Sequence, residues 1–428
     1  MNRNLFSIYT KIIHDLFPAL HQYQYTFLTF HNNILADLKF NNIFHNLAKI
    51  FLMRYLSILF MFFVLISCKK ELKPNLKTTL TTKEHTVKYA TGFDIVSNKN
   101  YDEIILNPNS KKEKHLVVLK NKHAVFNKNT SNTLVFSKPL SRIVVTSTTH
   151  IPMLELLHES GSLVGFPNTK YISSKKTRAL IDVGKITELG KEQNINTELL
   201  LELQPEAVIV FSMGSNNKTF ENIQKAGIPV IINNDWLEKS PLGRAEWLKF
   251  FGVLFQKTSL ADSIFNSIEK KYKEAQKIAL QAKNKPKILA GVLYKDKWNL
   301  PAGQSYVAQF LKDANVNYPW QNTSGTGSLS LAFESVFDRA KDADFWLAPG
   351  YYQSYSQLEK ANQHYKKFDA FKNKKIYNFT KKKGTTGGIL YYELAPVQPD
   401  VVLKDIIKVT HPELLKNYVP FYLENLSE

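Results

Sequence analysis

From His85 to Phe136 the apolar residues come in short β-branched and aromatic runs, TVKYATGFDIV, DEIIL, HLVVL and TLVF, broken by clusters of Asn, Gly, Pro and Lys. This pattern predicts an antiparallel β preface over residues 83–139. At Ser141 the rhythm changes. Strand-length apolar runs now alternate with helix-length stretches, which is the pattern of βαβ units around a parallel sheet. RIVVTS reads as a buried strand, IPMLELLHES as a helix with Gly161 as its stop, and SLVGF as a second strand.

The clearest unit is NTELLLELQPEAVIVFS, Asn196 to Ser212, in which a capped helix runs into a Pro-marked turn and then a buried strand. Helix FENIQKAG and strand IPVIINN follow it. The same order returns in SLAFESVFDRAKDADFWLAPG, Ser330 to Gly350, with FKNKKIYNF in the place of AGIPVIINN. Two related lobes are expected, at residues 140–258 and 284–428. Between them SLADSIFNSIEKKYKEAQKIALQAK, residues 259–283, holds no Gly or Pro, places Ser259 and Asp262 as a capping box, and carries Ile264, Ile268 and Tyr272 at four-residue spacing. At ~1.5 Å per residue such a helix is a strut of over roughly 30 Å. The expected fold class is therefore α/β, two Rossmann-like lobes joined by a single long helix, with the antiparallel preface ahead of them. A rigid connector implies only a small change of lobe angle on binding.

Upstream, MRYLSILFMFFVLIS runs from Met53 to Ser67 directly before Cys68, the one cysteine of the chain. Its apolar core is shorter than the roughly 20 residues of a bilayer span and matches the ~7–15 of a signal sequence. Leu65-Ile66-Ser67-Cys68 then reads as a lipobox, so residues 53–68 are expected to be a lipoprotein signal, Cys68 the lipidated residue and residues 69–82 a polar tether. The competing reading is a buried helix with a core cysteine. Residues 1–52 show no clean period; translation from Met53 and an amphipathic or membrane-embedded extension are both compatible with them. Lipid attachment would put the protein in the cell envelope, facing the periplasm.

Lys plus Arg number 56 against 37 Asp plus Glu, a net charge of +19 that by itself would suit nucleic acid or an anionic surface. Export argues against nucleic acid, and the densest cations, Lys372, Lys374, Lys375 and Lys381 to Lys383, lack an aromatic or Arg reading pattern. With no second cysteine, no disulfide can form within the chain. An enzyme is not indicated: the chain has no GxSxG elbow and no HExxH pair, its cysteine belongs to the lipobox, and TSGTGS lacks the GK[ST] of a phosphate loop. His150, Glu155 and His158, at spacings of five and three, do not share one helical face as a metal site.

Open α/β sheets bind ligands at the carboxyl ends of their strands. That rule nominates Thr148, Thr149 and His150; Met213 and Gly214; Asp235, Trp236 and Arg244; and, from the second lobe, Lys295, Trp298, Gln304, Tyr306, Tyr351, Tyr352, Thr386, Gly387, Gly388 and Tyr391. Aromatics with a few cations suit a flat, partly anionic ligand such as a porphyrin, a corrin or a metal chelate.

From Leu140 to Leu415 the chain resembles the substrate-binding lipoproteins of ABC importers for iron complexes, haem and cobalamin. The residues that carry the likeness are RIVVTSTTHIPMLELL, LVGF, NTELLLELQPEAVIV, AGIPV, SPLGRAEWLKFFGVLF and GGILYYELAPVQPDVVLKDIIKVTHPEL, in that order. The resemblance implies capture of an iron-siderophore, haem or cobalamin-type ligand between the lobes and delivery to an ABC permease with its ATPase. It also implies permease docking through Glu198 and Glu334, whose exposed first-turn carboxylates the helix dipole would stabilise. No resident cofactor is implied; iron or cobalt would arrive inside the ligand. The alternatives are a surface lipoprotein that holds a ligand or protein without transport, and a binder of free metal ions.

Overall fold

The structure, a computed structural model, describes residues 84–428 apart from 109, 122, 125, 127–130, 193 and 212–217. The extension, signal, Cys68, tether and the Met213–Gly214 turn fall outside the described residues. Among the described residues no helix is long and apolar enough to cross a membrane.

The preface is a five-stranded meander, Glu84–His85, Phe93–Ser97, Tyr101–Leu106, Lys114–Leu119 and Thr133–Phe136. Its first four strands pair antiparallel, but the last runs parallel to its neighbour, Leu116 facing Leu134. The 120–132 segment is long enough to carry the chain back to the starting end of the sheet.

In the N-terminal lobe five parallel strands stand in the order Val230–Ile232, Ala207–Val210, Ile143–Val145, Leu163–Phe166, Thr187–Glu188. Each apolar run is buried on both faces because successive side chains point to opposite sides. Ile143, Val145, Ile209 and Ile231 join one core, while Val144, Val208, Val210 and Val230 join a second beneath the other face. Asn196 caps its helix as expected, accepting from the Leu199 N–H at 3.1 Å, and Gln204, at φ 46°, ends it before Pro205. The helix His150–Leu156 stops earlier than the sequence suggests, because His158 rather than Gly161 takes the left-handed conformation, φ 59°.

The C-terminal lobe repeats the pattern with parallel strands Ile288–Ala290, Phe345–Leu347 and Ile376–Asn378, closed by antiparallel Glu424–Asn425. A three-stranded antiparallel sheet, Val292–Tyr294, Lys297–Pro301 and Ser328–Leu331, continues from it. The connector is one helix, Thr258–Ala279, 22 residues and about 33 Å long. Its buried stripe is Ala261, Phe265, Ile268, Tyr272, Ala275 and Ala279. The expected capping box does not form. The helix begins at Thr258, so Ser259 already lies inside the first turn, and Asp262 faces Lys249 Nζ at 3.4 Å instead.

SPLGRAEW proves to be a structural junction. Ser240 Oγ caps its helix through the Gly243 N–H at 3.0 Å, and Pro241 starts it. Buried Glu246 accepts the backbone N–H groups of Lys88, Tyr89 and Ala90 at 2.6–3.0 Å, while Glu238 accepts those of Thr91 and Gly92 and the Trp247 indole at 2.8–3.0 Å. These two carboxylates strap the lead-in of the preface onto the N-terminal lobe.

Candidate functional site

Both lobes bring polar side chains to the carboxyl ends of their parallel strands. His150 follows strand Ile143–Val145 by one loop; Asn233 and Asp235 follow strand Val230–Ile232 directly. His150 and Asn233 are fully buried and Asp235 is 1% exposed. Among the described residues, neither nitrogen of His150, neither carboxylate oxygen of Asp235, nor the Asn233 Nδ2 has a hydrogen-bond partner. The Asn233 carbonyl is occupied by the Asp235 N–H at 2.9 Å, which fixes the turn. Such orphaned groups are rare in folded chains, since each costs about 1–3 kcal/mol. Here they gather in one place, which is where a ligand's polar atoms would stabilise them.

Arg244 joins the group from the SPLGRAEW helix. One guanidinium nitrogen donates to the Trp236 carbonyl at 2.7 Å, its Nε has no partner, and its plane lies 3.6 Å over the Tyr306 ring of the opposite lobe. That cation–π contact crosses the cleft. Burial holds His150 down at about 4, against the opposing pull of Asp235, so its imidazole is neutral near pH 7. Burial likewise pushes the Tyr306 phenol up to about 12, with Arg244 pulling down and Asp235 pushing up. The Tyr391 phenol is pushed well up by burial and by Tyr306, so both remain hydrogen-bond donors. Tyr391 stacks on Phe379 with ring centroids 4.4 Å apart.

Behind Tyr391 the C-terminal lobe holds a cavity of about 220 Å³, lined among others by Ala290, Gly291, Leu347, Ala348 and Phe379 at its strand ends. Ala348 is held at φ 54°, a left-handed conformation unusual for a residue with a β-carbon. A larger groove of about 590 Å³ runs along the connector, between Leu156, Ile264 and Ile268 on one side and Val397, Val401 and Val419 on the other. It is mostly apolar, with Lys271, Gln398 and Asp400 also in its lining, and touches no strand end, so the cleft cluster, not the larger volume, is the candidate site.

The lobes meet beside this cluster. Glu393, 1% exposed on the C-terminal lobe, accepts the backbone N–H groups of Ser173 at 2.6 Å and Ser174 at 2.9 Å from the N-terminal lobe. Gly384 and Gly388 make the approach possible. A β-carbon on Gly388 would stand 2.3 Å from the Tyr171 carbonyl oxygen, and one on Gly384 2.7 Å from the Ser173 Cα.

Of the nominated residues, His150, Asp235, Arg244, Tyr306 and Tyr391 therefore come together. Thr148 and Thr149 lie half-buried in the loop before His150, Thr149 paired with Ser147 at 2.8 Å. Trp236 is partly exposed at the rim, Tyr352 is half-buried, and Thr386 and Gly387 are exposed beside the lobe contact. Lys295 and Gln304 are exposed, and Tyr351 is 71% exposed. Trp298 is a correction. Its indole is fully buried among Trp346, Tyr365 and Phe368 and donates to the Ala290 carbonyl at 3.0 Å, so it is a core residue of the C-terminal lobe rather than a ligand contact. Asn233, Phe379, Ala348 and Glu393 were not nominated. The polar IINND run straight after a buried strand pointed to Asn233; nothing local marks Glu393, whose partners lie 219 and 220 residues away. Among the described residues no three His, Cys, Asp or Glu side chains are placed to hold a metal ion.

Two α/β lobes on a stiff connector, with a polar cluster where their strand ends face each other, define a binding protein that clasps a small guest. The chain belongs to the periplasmic binding protein family, whose model matches residues 143–383. The family is one of substrate-binding proteins rather than enzymes. An uncharacterized lipoprotein of Methanocaldococcus jannaschii is 28% identical over 309 residues, 69% of this chain and 72% of that protein. A second uncharacterized lipoprotein of the same organism is 24% identical, covering 67% of this chain and 73% of that protein. Among solved structures, a possible iron-binding periplasmic solute-binding protein of Staphylococcus epidermidis is similar in fold, with TM-score 0.51 and 17% identity over 64% of this chain and 100% of that one. A periplasmic heme binding protein of Pseudomonas aeruginosa is likewise similar, with TM-score 0.51 and 14% identity over 68% and 99%.

Proposed function

We propose that this protein is anchored by lipid at Cys68 and carries a metal chelate of the iron-siderophore, haem or cobalamin type in the cleft, delivering it to an ABC permease. The observation that carries the reading is the set of orphaned polar groups at the strand ends of the cleft, His150, Asn233, Asp235 and Arg244. The names of the solved relatives, one iron-binding and one heme-binding, agree with a chelate as cargo. The relatives named as lipoproteins agree with the anchor. Iron or cobalt would enter as cargo, not as a resident cofactor.

Docking is assigned to Glu198 and Glu334. Each is exposed in the first turn of the corresponding helix of its lobe, Thr197–Leu203 and Phe333–Ala340. Calorimetric titration of the purified protein with ferric siderophores, haemin and cyanocobalamin tests the cargo. Uptake assays in cells carrying Glu198→Ala together with Glu334→Ala test delivery. Lost uptake with retained ligand binding is expected; unchanged uptake would favour a lipoprotein that holds its ligand without transport. Metabolic labelling with radioactive palmitate tests the anchor, which Cys68→Ala should abolish.

A further inference from the structure

The charge and hydrogen-bonding inventory of the cleft says more about the guest than its size does. Among the described residues, buried Asp235 offers two acceptor oxygens with no partner, while Arg244 Nε and Asn233 Nδ2 offer donors with none. Asp235 and Arg244 both act on Tyr306, yet they do not pair with each other. One carboxylate and one guanidinium act on the same Tyr306 phenol with opposite sign, and His150 adds no charge near neutrality. The formal charge of the cluster is zero.

We propose that the cleft selects an uncharged chelate, one whose polar groups each present a donor beside an acceptor, as carboxamides do, over chelates bearing carboxylates or catecholates. The inference rests on the cleft being the ligand site proposed above and narrows its cargo. A carboxamide can give its N–H to Asp235 and take donors from Arg244 and Asn233 on its carbonyl, so that no group of either partner is left unpaired. An anionic oxygen in the same place meets a carboxylate in a low-dielectric site and leaves both Asp235 oxygens unmade. The scattered surface lysines that give the chain its +19 charge do not change this, because solvent screens them while the buried carboxylate is not screened.

The test compares ferrichrome and cyanocobalamin, both uncharged, with ferric enterobactin and haemin, both anionic, by tryptophan fluorescence and calorimetry on the native protein and on Asp235→Asn. At least one uncharged probe should bind at least about tenfold tighter than either anionic one, the equivalent of one unmade hydrogen bond. Asp235→Asn should narrow that ratio by a similar factor, chiefly by tightening the anionic probes, with circular dichroism unchanged. A native protein that prefers an anionic probe overturns the proposal while leaving the binding function intact, as does a ratio indifferent to Asp235→Asn in a folded variant. Failure of all four probes to bind would overturn both readings together.

Discussion

Glu393 offers the sharpest perturbation of lobe closure, because it touches the opposite lobe through backbone groups and is not itself one of the orphaned groups of the cluster. Glu393→Ala removes the acceptor of the Ser173 and Ser174 N–H groups. Two amides left without partners at a closed interface cost about 1–3 kcal/mol each, of which solvent recovers a part, so a net loss of about 3 kcal/mol is expected. At 1.4 kcal/mol per decade the ratio of closed to open molecules should fall about a hundredfold. Double electron–electron resonance between spin labels on the two lobes would show this as a broader, longer distance distribution. Ligand release measured by stopped flow should accelerate by a similar factor. Gly388→Ala should act in the same direction, since its β-carbon meets the Tyr171 carbonyl at 2.3 Å only when the lobes are closed. An unchanged distance distribution and off-rate in Glu393→Ala would refute the reasoning. The pH dependence carries the same test. Burial first, and then neighbouring Glu155, raise the Glu393 carboxyl from 4.5 to about 7 in the closed form. An acid whose pKa rises on closure binds more protons when closed. Its contribution is therefore fully present below about pH 4.5 and lost as pH rises through 7, and Glu393→Ala should flatten that window.

Four further outcomes follow from the same geometry. His150 is buried without a partner and its pKa falls from 6.5 to about 4, so it should cost stability as pH drops through that range; His150→Leu should abolish this loss, raise unliganded stability by about 1–2 kcal/mol in thermal melts, and weaken ligand binding. Glu246→Ala should cost about 3–5 kcal/mol in urea unfolding, because it strands three backbone amides and takes the carboxylate at 3.2 Å from the Lys249 ammonium, which keeps Asp262, with faster hydrogen exchange at residues 88–90. Tyr306→Ala should remove the face beneath Arg244 and lower chelate affinity at least about tenfold in calorimetry, while Trp298→Phe should leave affinity near its native value and lower stability by the lost Ala290 bond, about 1 kcal/mol.

The architecture was largely legible because it is written in local pattern. Continuous apolar runs such as AVIV marked strands buried on both faces, and the Asn196 cap and the Gln204-Pro205 turn marked a helix's two ends within a few residues of sequence. Where a choice depended on one residue of register, tertiary packing decided it. The connector starts at Thr258 and spends Asp262 on Lys249 rather than on a cap, and His158 rather than Gly161 turns the chain. The site was half legible. Strand-end position alone found His150, Asp235, Arg244, Tyr306 and Tyr391, because sheet topology puts those loops in one cleft. It could not tell Trp298, one residue into an antiparallel strand and turned into the core, from a rim aromatic. Nor could it see that SPLGRAEW is mainly a strap for the preface, or that Glu393 reaches the other lobe, since both depend on partners more than 140 residues distant.

The central claim is that one small chelate sits between the lobes. Native mass spectrometry with absorbance on protein isolated from its own cells tests it most directly. The account predicts a chain carrying a single metal-containing small molecule, lost in Tyr306→Ala. A bare polypeptide mass that stays bare after incubation with uncharged and anionic chelates alike would contradict it.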